Sequence, residues 1–129
     1  MGRTRATRLA RRPLIAACAI SVALSACGAT GSHTSATPFP TGKLAHDQQI
    51  LAGRVIFAQR CATCHGDAGG GGVGPSFTHD KLLRDFPDPA AQINFVEHGR
   101  GIMPAWRGVL TTAQITAVVQ YERKVLSPR

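Results

Sequence analysis

The pentapeptide Cys61-Ala62-Thr63-Cys64-His65 constrains this chain more than any other feature. C-x-x-C-H is the attachment signature of c-type haem. Two thiols separated by two residues reach the same porphyrin edge and add across its vinyl groups as thioethers. The histidine that follows is then placed to ligate the iron from one face. Two other chemistries use C-x-x-C. A structural zinc site needs four ligands, often completed by a second C-x-x-C or a histidine pair, and no second pair of this kind exists. A thioredoxin-type redox pair sits in a βαβ context, whereas the segment after His65 is glycine-rich. The sequence therefore assigns Cys61 and Cys64 to covalent haem attachment and His65 to the iron.

The other two cysteines belong to the N-terminus. Residues 1–26 read as an export signal. Arg3, Arg5, Arg8, Arg11 and Arg12 precede an apolar run from Leu14 to Leu24, and small residues lead up to Cys27. The apolar run is shorter than the roughly 20 residues of a membrane-spanning helix. Cys18 lies within it and leaves with the signal. The string Leu24-Ser25-Ala26-Cys27 resembles a bacterial lipoprotein signal box. The resemblance implies cleavage before Cys27, which becomes a lipid-bearing N-terminus through a diacylglyceryl thioether. An ordinary cleavage site beside an incidental cysteine is the alternative. Arg11-Arg12 lacks the flanking residues of a twin-arginine signal. No cysteine remains for a disulfide, although an extracytoplasmic compartment would permit one.

The formal charge of +8 misleads. Five of the 15 basic residues lie in the signal and all seven acidic residues follow it, which leaves a mature charge of +3. Two haem propionates would bring this near +1. The mature chain has no basic cluster interleaved with aromatics, so nucleic acid is not an expected partner.

Residues 27–45 are rich in Gly, Ser, Thr, Ala and Pro, show no hydrophobic period, and are expected to form a flexible tether. The eighteen residues from Gly28 to Ala45 span about 20–25 Å end to end. Residues 46–129 form the expected domain. At about 80 residues a core of side chains alone is marginal, and a haem would complete it.

Helical spacing of Ile50, Gly53, Ile56 and Phe57 after Asp47 predicts a first helix from Asp47 to about Arg60, delivering the chain into Cys61. Residues 66–75, six of them glycine, must be loop. Asp88 and Pro89 open a second helix that ends near Gly99. Thr111-Thr112-Ala113-Gln114 is a capping box for the last helix, whose apolar face carries Ile115, Val118, Val119 and Leu126. No strand pattern appears. The expected fold class is all-α, with about three main helices and long loops around one covalently attached haem.

One methionine follows the signal, Met103 in Gly101-Ile102-Met103-Pro104-Ala105-Trp106. A thioether is a soft, neutral ligand that raises the haem potential, and a lone methionine in a Gly/Pro loop suits ligation better than helix core. His79 and His98 are alternative second ligands. His79 reads as a surface residue, and His98 as a helix C-terminal residue that complements the dipole.

Residues 46–127 resemble the small monohaem class I c-type cytochromes of bacteria. The ordered features are Gly53 with Phe57, Cys61 to Gly66, Gly74-Pro75-Ser76-Phe77, Met103-Pro104-Ala105-Trp106, and the terminal helix with Tyr121. The resemblance implies the class I cytochrome c fold, in which the first and last helices cross at a small residue, here Gly53. It also implies that the Pro75 carbonyl accepts from the His65 ring, and that Trp106 supports the Met103 side of the haem. His65 and Met103 would saturate one haem c iron, leaving an electron carrier rather than an enzyme. Three functions are expected in order. The first is a single-haem carrier passing one electron at a time between membrane-associated redox proteins in a respiratory chain, on the extracytoplasmic face and held by a lipid anchor at Cys27. The second is a haem subunit of a larger dehydrogenase, reductase or oxidase complex. The third is a haem enzyme or gas sensor with a displaceable sixth ligand. A monomer or a complex subunit is the expected state.

Overall fold

A computed structural model describes residues 36–129. The export signal, Cys27 and the first part of the tether lie outside the described residues. A 3-10 turn, Gly42–His46, leads into α1, Gln48–Ile56. The chain continues through a wide π turn, Phe57–Cys61, into the short helix α2, Ala62–His65. After the glycine loop come α3, Lys81–Asp85, and α4, Pro89–His98. The last helix, α5, Thr112–Tyr121, runs into a second π turn, Glu122–Leu126. Among the described residues there are no strands, only two isolated bridges in loops. The described residues are all-α.

Capping chemistry starts each main helix. The Asp47 carboxylate accepts from the backbone N–H groups of Gln49 and Ile50. The Asp88 carboxylate accepts from Ala90, with Pro89 at the first helical position. Thr111 and Gln114 close the expected capping box in both directions. Each such cap stabilises by about 1 kcal/mol. Gly99 ends α4 with φ +66°, a left-handed conformation that favours glycine.

The first helix does not stop near Arg60. It runs to His65, with the π turn inserted where the Ala62 N–H reaches back five residues to the Phe57 carbonyl. That wider turn shifts the register. Phe57 points to α5, with its ring 5.8 Å from Tyr121, while Cys61 reaches the opposite side. The short helix α3 has no counterpart in the sequence expectation. His79 and Asp80 precede it with φ +57° and +54°, and Leu82 is the one residue it buries.

α1 and α5 cross at Gly53. A Cβ there would collide with the Ala117 carbonyl oxygen, and would lie 2.6 Å from the Ala117 carbonyl carbon and 2.8 Å from the Tyr121 Cβ. Ile50, Phe57, Val118, Tyr121 and Leu126 are fully buried around this crossing.

The tether expectation for residues 27–45 is corrected from Thr37 onwards. Thr37 and Pro40 are buried, and Leu44 packs on the core. The Arg54 guanidinium donates to the carbonyls of Thr37 and Pro38 at 2.9–3.3 Å and lies over the Phe39 ring. The Tyr121 hydroxyl donates to the Pro38 carbonyl at 2.6 Å. Burial pushes that phenol up to about 12 against the opposing pull of Arg54 and Arg129, so it stays a donor at neutral pH. The segment is held through its backbone carbonyls by donors from α1 and α5. The domain boundary therefore lies nearer residue 37 than 46.

Gly53→Ala tests the crossing. Alanine is the better helix former by about 1 kcal/mol, but the added methyl meets backbone that cannot swing away. A net loss of about 1–3 kcal/mol in denaturant-measured stability is expected. An unchanged midpoint would show that the helices have room to separate.

Candidate functional site

The sequence-assigned residues line one cleft of about 540 Å³, within the size range of cofactor pockets. Cys61, Cys64 and His65 stand at its α2 wall, with Gly74, Pro75 and Phe77 beside them. Met103, Pro104 and Trp106 come from the loop after α4. Leu82, Phe86, Phe95 and Val96 add apolar surface. Cys61 is half-buried, Cys64 is exposed, and both are free thiols.

The glycine loop exists to turn the chain back onto α2. The N–H groups of Gly71 and Gly74 donate to the carbonyls of His65 and Cys64, both at 2.8 Å, and so satisfy the end of the helix. Gly66, with φ +79°, begins the turn. The result is that the Pro75 carbonyl lies 3.0 Å from His65 Nδ1. A donor N–H at Nδ1 leaves Nε2 as the free lone pair for a metal, the arrangement by which a neighbouring acceptor fixes a ligand's tautomer. The His65 ring is further clamped by stacking on Phe77, with centroids 4.4 Å apart. Gly74 passes so close that a Cβ there would lie 2.6–2.9 Å from three atoms of the imidazole.

Met103 is held in a tight loop. Arg100 and Met103 exchange two backbone hydrogen bonds of 3.1 Å. The Trp106 N–H donates to the Val96 carbonyl at 3.2 Å, tying the far side of the loop to α4. Met103 and Trp106 are half-buried and pack on the cluster of Val96, Ile115 and Val119. His79 and His98 do not line the cleft. Both are exposed, with their rings hydrogen-bonded to Thr78 and to the Asn94 carbonyl.

Burial pushes the Cys61 thiol up, with smaller contributions from Glu122 and Cys64. Buried in this way, Cys61 stays a protonated thiol rather than the thiolate that attacks in thiol exchange. Among the described residues no group of three or more His, Cys, Asp or Glu side chains converges on a bare metal position. A c-type haem fits what is present: two thiols at the rim, one oriented imidazole, one soft thioether, and aromatic and aliphatic walls.

Two cleft residues were not singled out from the sequence. Gln92 of α4 and Glu122 at the end of α5 are 2% and 4% exposed and are joined by a 2.8 Å hydrogen bond. The signal was present. Glu122 falls four residues after Val118 on the apolar face of α5, and Gln92 four before the buried Val96. Arg60 and Arg100 also line the cleft. Lys81 pairs with Asp85, Arg107 with Glu97, and Arg84 donates to the His79 carbonyl.

Residues 48–121 match the family model described as cytochrome c oxidase, cbb3-type, subunit III. The chain is 40% identical over 72 residues to the cbb3-type cytochrome c oxidase subunit FixP of Bradyrhizobium diazoefficiens, covering 54% of this chain and 25% of that protein. It is 34% identical over 80 residues to cytochrome c6 of Chlorolobion braunii, covering 58% of this chain and 89% of the relative. The chain thus spans about a quarter of the length of the oxidase subunits it matches. Among solved structures, cytochrome CL of Methylophaga aminisulfidivorans shares the fold, with a TM-score of 0.56, 22% identity, and 64% and 59% of the two chains covered.

Gly74→Ala should displace the His65 ring and lengthen its bond to Pro75. The expected outcome is a holoprotein with an altered Soret band and a lower yield of covalent haem. A spectrum and yield equal to wild type would mean that the loop relaxes without moving the imidazole.

Proposed function

The chain belongs to the cytochrome c family, within the group described as cbb3-type cytochrome c oxidase subunit III, and from that premise we propose that it is a lipid-anchored, single-haem protein passing one electron at a time between redox proteins at an extracytoplasmic membrane surface. The observation that carries this reading is the convergence of His65 and Met103 on one apolar cleft whose rim bears both thiols of C-x-x-C-H. Cys61 and Cys64 would hold the haem as thioethers, and His65 and Met103 would ligate its iron from the two walls. Bound there, the haem supplies a one-electron couple between ferric and ferrous iron. The protein's own residues do the rest. Pro75 and Phe77 fix the imidazole, the Gly99-to-Trp106 loop fixes the thioether, and the aromatic walls exclude water. With His65 and Met103 both holding the iron, substrate would find no open coordination site. The chain is then a carrier and performs no catalysis itself.

Electrons must cross the rim. Val73 and Ile102 line the cleft 71% and 80% exposed, and Arg60 and Arg100 line it too. An apolar patch with a few charges suits the small, short-lived interfaces of redox encounters. Anchoring rests on Leu24-Ser25-Ala26-Cys27. No helix among the described residues is long and apolar enough to cross a membrane. One acyl chain binds membranes only reversibly, whereas the lipoprotein modification supplies at least two.

The family match favours a second reading, in which the chain is a haem subunit of an oxidase-type complex. Gentle detergent purification separates the two. A stoichiometric membrane partner supports the subunit, and a protein recovered alone supports the free carrier.

Met103→Ala tests the ligation. The variant should keep covalent haem, bind carbon monoxide stoichiometrically when reduced at neutral pH, and show a lower midpoint potential. The wild type should resist carbon monoxide. A variant with an unchanged potential and no carbon monoxide binding would remove Met103 as the ligand.

A further inference from the structure

A buried carboxyl against an apolar cofactor cleft needs an explanation. Glu122 sits at a position where the apolar face of α5 calls for a hydrophobic residue, and its neighbour across the cleft wall is an amide. Gln92 is itself oriented. The Arg123 guanidinium donates to Gln92 Oε1 at 3.1 Å and is pinned by the Phe86 and Pro87 carbonyls at 2.8 and 3.2 Å. The amide therefore turns its N–H toward Glu122 Oε2. Replacing both partners of such a hydrogen bond by apolar groups of the same shape can be nearly neutral or stabilising, so its presence at a cofactor wall points to a role beyond packing.

We propose that Glu122, held by Gln92, is a redox-linked proton site: it binds a proton when the haem in this cleft is reduced and releases it on oxidation. The inference rests on the haem reading above. Ferric haem carries one more positive charge than ferrous haem, and in a low-dielectric wall that charge favours the carboxylate. A one-electron donor delivers one electron to the iron, and one proton passes from water to the Glu122 carboxylate. Oxidation by the acceptor returns both.

The surrounding groups permit this. Arg60, Asp85 and Arg100 also line the cleft but are exposed, so water and salt screen them. Cys61, which interacts electrostatically with Glu122, loses its charge change once it is a thioether. Tyr121 is held neutral by burial. Arg123 keeps its charge and acts through Gln92. Burial pushes the Glu122 carboxyl up to about 8, although the Gln92 hydrogen bond opposes the shift. This places the exchange near neutral pH.

The sign follows. Below the exchange range both redox states carry the proton, and above it neither does, so the midpoint potential is flat at both ends and falls with rising pH between them. A tenfold difference in proton affinity between the two states corresponds to a total fall of about 59 mV. The test is a spectroelectrochemical titration against pH on protein whose pyridine haemochrome establishes covalent haem. It is paired with a redox-difference infrared spectrum at pH 7–8. The wild type should show this fall, and a protonated-carboxyl C=O band should appear on reduction. Glu122→Gln should flatten the curve and remove the band. A pH-independent wild-type potential, an identical curve in Glu122→Gln, or no such band in the wild type would overturn the proposal. If Glu122→Gln fails to load haem, Glu122→Asp takes its place: a shift of the band in that variant assigns it to residue 122, and an unshifted band assigns it to a haem propionate and overturns the proposal. Absence of covalent haem would instead condemn the cofactor reading itself.

Discussion

The crossing of α1 and α5 at Gly53 is the contact on which the rest of the molecule depends. With no side chain at that position the two helices approach to backbone contact, and Phe57 and Tyr121 close the gap on either side. The crossing fixes the direction in which α1 continues. The π turn after Ile56 then turns Cys61 away from the helix contact and toward the cleft. The same α5 carries its C-terminal end over the cleft, bringing Glu122 to the wall. The Tyr121 hydroxyl and Arg54 also hold the incoming segment at Pro38. One small residue thus positions the attachment motif, one wall of the cavity and the entry of the chain.

Beside the crossing lies an apolar-lined cleft. Val96, Ile115 and Val119 form one small cluster on the Met103 side, and the Phe57 cluster forms another. A polypeptide of this size gains little from two separate small cores, and a planar apolar group between them would join the two. The cofactor that performs the chemistry is, on this account, also the missing piece of the core.

The helices were legible because their signals are local. Asp47, Asp88 with Pro89, and the Thr111–Gln114 box each start a helix within one turn, and the caps form as the sequence implies. Cys61, Cys64, His65, Pro75, Met103 and Trp106, which all line the cleft, could be named from the sequence for the same reason, since each lies in a short ordered motif. Two features escaped. Docking of residues 37–45 relies on carbonyls of Thr37 and Pro38 accepting from side chains 16, 17 and 83 residues away, and carbonyls leave no trace in composition. The short helix α3 follows two left-handed residues, neither of them glycine. Glu122 lies between these cases. Its helical register put a carboxyl on an apolar face, but only the structure shows that Gln92 and Arg123 meet it there.

The central claim is that Cys61, Cys64, His65 and Met103 form one six-coordinate haem c site. It is tested most directly by a reduced-minus-oxidised optical spectrum and pyridine haemochrome of protein made with a c-type maturation system, extended into the ferric near-infrared. The account predicts a covalent c-type spectrum with a methionine–iron charge-transfer band. A c-type spectrum without that band would contradict the assignment of Met103. The absence of covalent haem would contradict the account as a whole.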